Sequence, residues 1–268
     1  MPLIDRVVRW LARYSEGLHL TVDNGPLSGP VTEYVVEDTP RGTGWLGRRI
    51  DRAFLNLDQN VGTRERIRTT KELVAEVLMR RRSARIPTVI FDVASGTARY
   101  LRDLARELDG SDDVTIVCHD RSPRQIMWGR ARVDAEHLRR FTFAVGDATD
   151  AASYLTRHDP DVILAVQLFP YLHDDSEVKA VIKLAYDHIR SEGCLICTTT
   201  VSAGSGSPFW NADALGRRPA CRAPETIKGW LREAGFTRID QRYSEPHGFA
   251  LIGWKTDQDE SETRLPRP

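Results

Sequence analysis

Residues Val89 to Tyr100 read V-I-F-D-V-A-S-G-T-A-R-Y. An apolar run ends in Asp92 and a short Ala-Ser-Gly turn follows. Leu101, Leu104, Ala105 and Leu108 then recur at the spacing of one helix face. A strand that hands a small-residue turn to a helix N-terminus makes a ligand site. Small residues let the backbone approach the ligand, and free amides at the positive helix end favour a negative group.

Working outward, a second apolar run, Val114 to Asp120, also ends in an acid. Its distance from the turn is about the ~20 residues expected for a carboxylate that takes a ribose diol. A third run, Phe141 to Val145, ends in Gly146-Asp147-Ala148, and a fourth, from Asp161 to Val166, ends in Gln167-Leu168-Phe169-Pro170. The pattern predicts strands over 88–93, 114–119, 141–145, 161–167 and 194–201. Helices are expected around 98–109, 123–135, 149–157 and 174–191. Such alternation implies a parallel sheet covered on both faces. A last helix opens at Pro224-Glu225-Thr226, and two strands, 237–243 and 249–255, close the chain as a hairpin.

In this order the motifs resemble those of class I S-adenosylmethionine-dependent methyltransferases, from about Thr88 to Lys255. The resemblance implies an α/β, Rossmann-like methyltransferase fold. Its seven-stranded sheet is mostly parallel with an antiparallel last strand, and an N-terminal helical cap is added. The domains expected are a cap or lid over 1–86, a cofactor-binding catalytic domain over 87–256 and a polar tail over 257–268.

The resemblance also assigns roles. Asp92, Ala94, Ser95, Gly96 and Thr97 would face the amino acid end and ribose of S-adenosylmethionine. Asp120, with Arg121 beside it, would accept from the ribose hydroxyls, and Asp147 with the Ala148 amide would meet the adenine edge. Gln167 and Leu168 would line the floor near the sulfonium. The family's turn is D-x-G-x-G-x-G, whereas this one is D-V-A-S-G-T-A, with alanine at two glycine positions. The alternative for Asp120 is to cap the helix that starts at Ser122-Pro123.

Further towards the N-terminus, Ser15-Glu16-Gly17, the stretch from Gly42 to Asp51, and Gly62-Thr63-Arg64-Glu65-Arg66 resemble a bacterial methyltransferase family that is sometimes fused to an α/β-hydrolase. Arg64 and Arg66 stand at that family's basic positions and would pair with the cofactor carboxylate. The alternative is a solvated helix face. Leu3, Val7, Leu11 and Tyr14 make one face of a short helix that packs as a cap. Leu18 to Val22 and Val31 to Glu37 look strand-like, as a hairpin or an ordered loop. Gly44 to Leu57 and Gly62 to Arg82 look helical.

After the fourth strand, Tyr171 and His173 are the catalytic candidates, with His173 as a general base. The alternative is a surface histidine beside an Asp174 helix cap. The segment lacks the Asn-Pro-Pro-Tyr pattern used on amides and the Pro-Cys pair of pyrimidine carbon methylation. Cys194-x-x-Cys197 has no second pair and sits in apolar company, so no metal is expected. With 38 basic and 38 acidic residues, the chain has no global field to recruit nucleic acid or anionic membrane. Four cysteines and an N-terminus broken by arginines fit a cytoplasmic location.

Two activities follow. The first is methyl transfer to a small molecule, as in bacterial secondary metabolism, with the N-terminal helices and a loop carrying Phe209 and Trp210 as lid. The second resembles azetidine-2-carboxylate synthases, where the cofactor's α-amine attacks its own γ-carbon and methylthioadenosine leaves. Tyr14, Tyr34, Tyr100, Phe169, Tyr171 and Trp210 are candidates to steady the sulfonium there. A non-catalytic cofactor-binding module is the third reading, disfavoured by the intact acids.

Overall fold

A computed structural model of the chain describes residues 3–25, 28–83, 86–108, 113–156, 159–200, 220–244 and 248–256. Its centre is a seven-stranded sheet in the order β3-β2-β1-β4-β5-β7-β6. The strands are β1 (Thr88–Asp92), β2 (Val114–Asp120), β3 (Phe141–Val145), β4 (Val162–Ala165), β5 (Cys194–Thr200), β6 (Arg238–Ser244) and β7 (Gly248–Trp254). The first five run parallel, while β7 pairs antiparallel with both β5 and β6. This is the Rossmann-like sheet expected.

Alternate residues of the central strands feed two cores. Ile90, Ile116, Leu164 and Ile196 face one side and meet Leu73, Val74 and Val77 of α5 (Asp58–Ser83) and Leu101 and Leu104 of α6 (Arg99–Glu107). Val89, Phe91, Ile163 and Leu195 face the other side. There they meet Val178, Val181 and Ile182 of α8 (Asp175–His188) and Ile227 and Leu231 of α9 (Pro224–Ala234). Burial on both faces explains why Val89, Ile90 and Phe91 of β1 are apolar in succession rather than alternating. Cys194 and Cys197 are free thiols within these cores, and burial pushes both up to about 12.

The N-terminal part adds α1 (Leu3–Leu11), α2 (Glu16–Asn24), α3 (Gly29–Glu37) and α4 (Gly44–Leu55). The expected hairpin over 18–37 is therefore wrong, because both strand-like runs are helices. Ser15 caps α2 by accepting from the Leu18 amide at 3.1 Å, Gly25 stops it at φ +88°, and Pro30 opens α3. Those end signals, with Leu18, Val31, Tyr34 and Val35 packing on Ala12, Phe54 and Leu55, outweigh the β propensity of valine and tyrosine. α5 starts beside this cluster and lays its apolar stripe on the sheet, so it joins cap and core.

Two other helices are shorter than expected. α7 (Pro123–Arg130) gives way to turns before a 3-10 turn at Leu138–Arg140. In place of a helix over 149–157 there is a 3-10 turn, Ala151–Tyr154, opened by the Asp150 carboxylate accepting from the Ala152 amide at 3.0 Å. Among the described residues no helix is long and apolar enough to cross a membrane.

Candidate active site

The carboxyl ends of β1, β2 and β3 lie side by side, with Asp92 opposite Cys118 and Asp120 opposite Val145. The Ser95 amide donates to the His119 carbonyl at 2.7 Å, which seats the turn after β1 on the end of β2. Asp120 then ties the loops together. One carboxylate oxygen accepts from the Gly96 amide at 2.9 Å, the other from the Ser122 amide at 2.8 Å. Its own carbonyl accepts from Gly146 at 3.2 Å. The cap of α7 is Ser122, whose hydroxyl accepts from the Gln125 amide at 3.4 Å, so helix capping does not explain Asp120. Each carboxylate oxygen keeps a further lone pair for a ligand.

Asp92 is fully buried, and its carboxylate accepts from the Tyr100 hydroxyl and, at 3.1 Å, from the Ala94 amide. Burial pushes it up to about 7, against those two hydrogen bonds and with the Asp120 charge adding to the rise. Gly96 sits at φ +55°, and a Cβ there would stand 3.0 Å from the Gln125 amide oxygen. That oxygen accepts from the Gly29 amide at 3.0 Å, so the first turn of α3 lies across the loop. Ala98 takes the left-handed conformation at φ +53° that glycine fills in the family's pattern. Behind the turn, Arg102 donates to the Thr97 carbonyl at 3.2 Å and pairs with Glu33 of α3 at 2.7 Å, with both partners buried. This ion pair fastens the cap to the cofactor loop.

Asp147 is exposed, and one oxygen accepts from the Thr149 amide at 2.9 Å and hydroxyl at 2.8 Å. These bonds, with the Arg121 charge, hold it below the usual carboxylate range. Arg121 is exposed nearby, while Ala148 is buried and its carbonyl accepts from Tyr154 at 3.0 Å.

Past β4 the backbone turns sharply, with Gln167 at φ +59° and its amide donating to the Thr198 hydroxyl at 2.9 Å. A non-glycine residue in that region costs roughly a kilocalorie or more, and such strain gathers at functional sites. Leu168 is half-buried, and a 3-10 turn, Phe169–Tyr171, follows. Arg222 holds this turn by donating to the carbonyls of Phe169 and Leu172, both at 2.8 Å, and to Asp175 at 2.7 Å. Tyr171 is 36% exposed, and burial raises its phenol while the Arg66 charge lowers it. His173 is exposed, and among the described residues nothing orients its ring. Asp174 caps α8 by accepting from the Ser176 amide at 2.8 Å.

The two arginines of α5 part company. Arg64 donates to the carbonyls of Leu55 at 2.9 Å and Val35 at 3.4 Å and lies 3.5 Å from Asp38. In this position it braces the cap. Arg66 is buried and reaches the carboxyl end of the sheet beside Gln167, whose side-chain oxygen, once the carboxamide is turned over, accepts from Nη2 at 2.9 Å and from Nε. Of the aromatic candidates, Tyr34 and Tyr100 are buried with their hydroxyls on Asp51 and Asp92, and Phe169 is fully buried. Tyr14 stacks edge-on with Trp10 at 5.5 Å on the cap surface. Tyr171 stays at the strand end. Phe209 and Trp210 lie outside the described residues.

Arg222, Arg102 and Gln125 were missed in the sequence. Each looks like an ordinary charged or polar residue, and only the fold reveals its partners. The stretches Ser15-Glu16-Gly17 and Gly42 to Asp51 do carry a visible signal. Buried Asp51 accepts from Ser15 Oγ at 2.6 Å and from the amides of Gly17, Arg41 and Gly42 at 3.2, 3.0 and 2.6 Å, besides the Tyr34 hydroxyl.

Comparisons with known proteins agree on the fold. A protein from Bordetella parapertussis described as a possible exported protein superposes with a TM-score of 0.70 at 20% identity, covering 92% of this chain and 85% of that one. An O-methyltransferase family protein from Burkholderia thailandensis superposes with a TM-score of 0.57 at 20% identity, covering 91% and 71%. The uncharacterized protein YnbC of Escherichia coli (strain K12) is 25% identical over 249 residues, which is 90% of this chain but only 42% of that protein. A family model described as "Putative methyltransferase" matches residues 3–202, well over half of the chain. The chain belongs to that methyltransferase family, and its sheet has the Rossmann-like methyltransferase fold.

Proposed function

We propose that the chain transfers the methyl group of S-adenosylmethionine to a small-molecule acceptor. When bound, the cofactor supplies an electrophilic methyl carbon on a sulfonium. Asp120, Asp147 and the turn from Ala94 to Thr97 would hold it while an acceptor's lone pair took that carbon and S-adenosylhomocysteine left with the carbon–sulfur electron pair. The observation that carries the reading is Asp120. It is buried at the end of β2, fixed by the Gly96 and Ser122 amides, and keeps a further lone pair on each oxygen.

In this reading Asp120 receives the ribose hydroxyls and the exposed oxygen of Asp147 receives the adenine amine. The turn from Ala94 to Thr97 bounds the amino acid end. Asp92, poised near neutrality, is suited to face an ammonium group, which favours its ionised form. Gln167 and Leu168 form the floor. Displacement in line needs positioning and water exclusion more than acid–base help. Tyr171, which feels the Arg66 charge, is better placed to meet an acceptor than His173. The balanced charge and the free thiols suit a small acceptor in the cytoplasm rather than a nucleic acid or membrane partner.

The test is calorimetry with S-adenosylmethionine, followed by mass spectrometry of protein and cofactor incubated alone. The expected outcome is binding with the cofactor left intact. Release of methylthioadenosine with a cyclic amino acid would replace methyl transfer by cyclisation, and no binding would remove both.

A further inference from the structure

Arg66 is 5% exposed, yet among the described residues no carboxylate pairs with it. Its neighbours are neutral: Thr63 Oγ1 accepts from Nη2 at 3.1 Å, the Gln167 carboxamide with its oxygen turned inward takes Nη2 and Nε, and the Tyr171 phenol lies within reach of its charge. Other arginines packed against the sheet behave differently. Arg102 meets Glu33 at 2.7 Å, Arg81 meets Asp161 at 2.6 Å, and Arg222 meets Asp175 at 2.7 Å. A buried charge is kept without an acid only at a large desolvation cost, so a partner beyond the described residues is expected. Burial lowers Arg66 only to about 10, so it stays charged at neutral pH.

Its position says which ligand. Gln167 follows β4 and Gly248 opens β7, so a guanidinium touching both stands over the end of β5, which lies between them. Gly248 is what makes room, since a Cβ there would stand 2.9 Å from Arg66 Cδ and 3.1 Å from Nη1. The acids assigned to the nucleoside end β2 and follow β3, on the far side of β1 and β4. An acceptor attacks the methyl carbon from the side opposite the sulfur, so it occupies the β4–β5–β7 half. There, Nη1 of Arg66 and the Tyr171 hydroxyl have no hydrogen-bond partner among the described residues. Two unfilled donors and one positive charge match a carboxylate, which has two oxygens and one negative charge.

We propose that Arg66, with the Tyr171 hydroxyl beside it, anchors a carboxylate of the methyl acceptor, so that the substrates are organic acids. This rests on the methyl-transfer reading and assigns Arg66 to the acceptor, not to the cofactor's own carboxylate.

The test uses the full chain saturated with S-adenosylhomocysteine and, as probes, benzoate, phenylacetate and octanoate beside their amides. Binding is followed by calorimetry, and thermal unfolding checks that each variant is folded. At least one acid should bind tenfold or more tightly than its amide. Arg66→Gln should abolish that preference, and Arg66→Lys should weaken it about tenfold. Both should leave S-adenosylmethionine affinity within twofold of wild type. If Arg66→Gln does not fold, Arg66→Lys decides by the same two measurements. Acids and amides bound alike, or not at all, would overturn the proposal. So would a tenfold loss of S-adenosylmethionine affinity in either variant, which would give Arg66 to the cofactor. Failure of the wild-type chain to bind S-adenosylmethionine would instead strike the methyl-transfer reading itself.

Discussion

Asp51 in the cap and Asp92 at the end of β1 are both fully buried carboxylates that accept from a tyrosine hydroxyl. They differ in what else surrounds them. Asp51 has four further donors from Ser15, Gly17, Arg41 and Gly42, whereas Asp92 has one, from Ala94. A carboxylate offers about four lone-pair sites, so Asp51 is saturated by its own chain and Asp92 is left short. The first is a structural hub, and the second has capacity for a ligand. Counting donors separates the two where burial alone cannot.

The largest effect that would break this distinction is on stability. Asp51→Ala strands five donors in a buried place and should cost about 4 kcal/mol, since each orphaned group costs roughly 1–3 kcal/mol before relaxation. For a chain of this size the unfolding midpoint should fall by about 10 °C. Calorimetric unfolding measures it, and a midpoint within 2 °C of wild type would mean that donor count says nothing about role.

Next comes cofactor affinity. Asp120→Ala removes the acceptor for Gly96 and Ser122 as well as for the ribose, and charge-assisted bonds are worth about 1.5–3 kcal/mol each. S-adenosylmethionine should bind about 100-fold more weakly by titration calorimetry. Unchanged affinity would remove Asp120 from the ligand side of the comparison.

The same contrast shows what the residues alone could tell. The order of strands and the three acids at their ends were legible, because apolar runs ending in Asp92, Asp120 and Gly146-Asp147 fall at strand spacing. The cap was not. Leu18 to Val22 and Val31 to Glu37 carry β-branched residues, and they become helices through Ser15, Gly25 and Pro30 and through burial against Phe54 and Leu55. A short apolar run does not announce which of the two it will be. Arg64 and Arg66 differ by about half a helical turn, which sends one into the cap and the other to the sheet edge. Their opposite fates depend on how α5 is rotated, and that is a property of packing.

A smaller effect tests Asp92 through pH. Its folded-state value of about 7 lies above the ordinary carboxylate value, so between about pH 4 and 7 the folded chain holds a proton that the unfolded chain has lost. Stability from this group is therefore fully present below about pH 4 and falls as pH rises to about 7. Asp92→Asn, a neutral isostere, should lack this fall. Denaturant titrations at intervals from pH 4 to 8 should show the wild type losing stability relative to the variant across that window, and flat above it. Parallel curves would mean that Asp92 is as satisfied as Asp51.

The smallest effect concerns the alanines of the turn D-V-A-S-G-T-A. Ala98 stands at φ +53°, where a side chain costs about 1–2 kcal/mol. Glycine would relieve that strain. It would also lose a buried methyl worth about 0.8 kcal/mol and add about 0.5–1 kcal/mol of unfolded-state entropy. These cancel, so Ala98→Gly should move the unfolding midpoint by less than about 3 °C and leave cofactor affinity unchanged. Gly96 has no such exchange. At φ +55°, a Cβ 3.0 Å from Gln125 would disturb the bond to Gly29 and the amide held by Asp120. Gly96→Ala should therefore weaken S-adenosylmethionine binding about tenfold while Ala98→Gly does nothing. If the two substitutions behaved alike, the loop would be a spacer and not a cradle, and Asp120 would be holding it closed for reasons of stability alone.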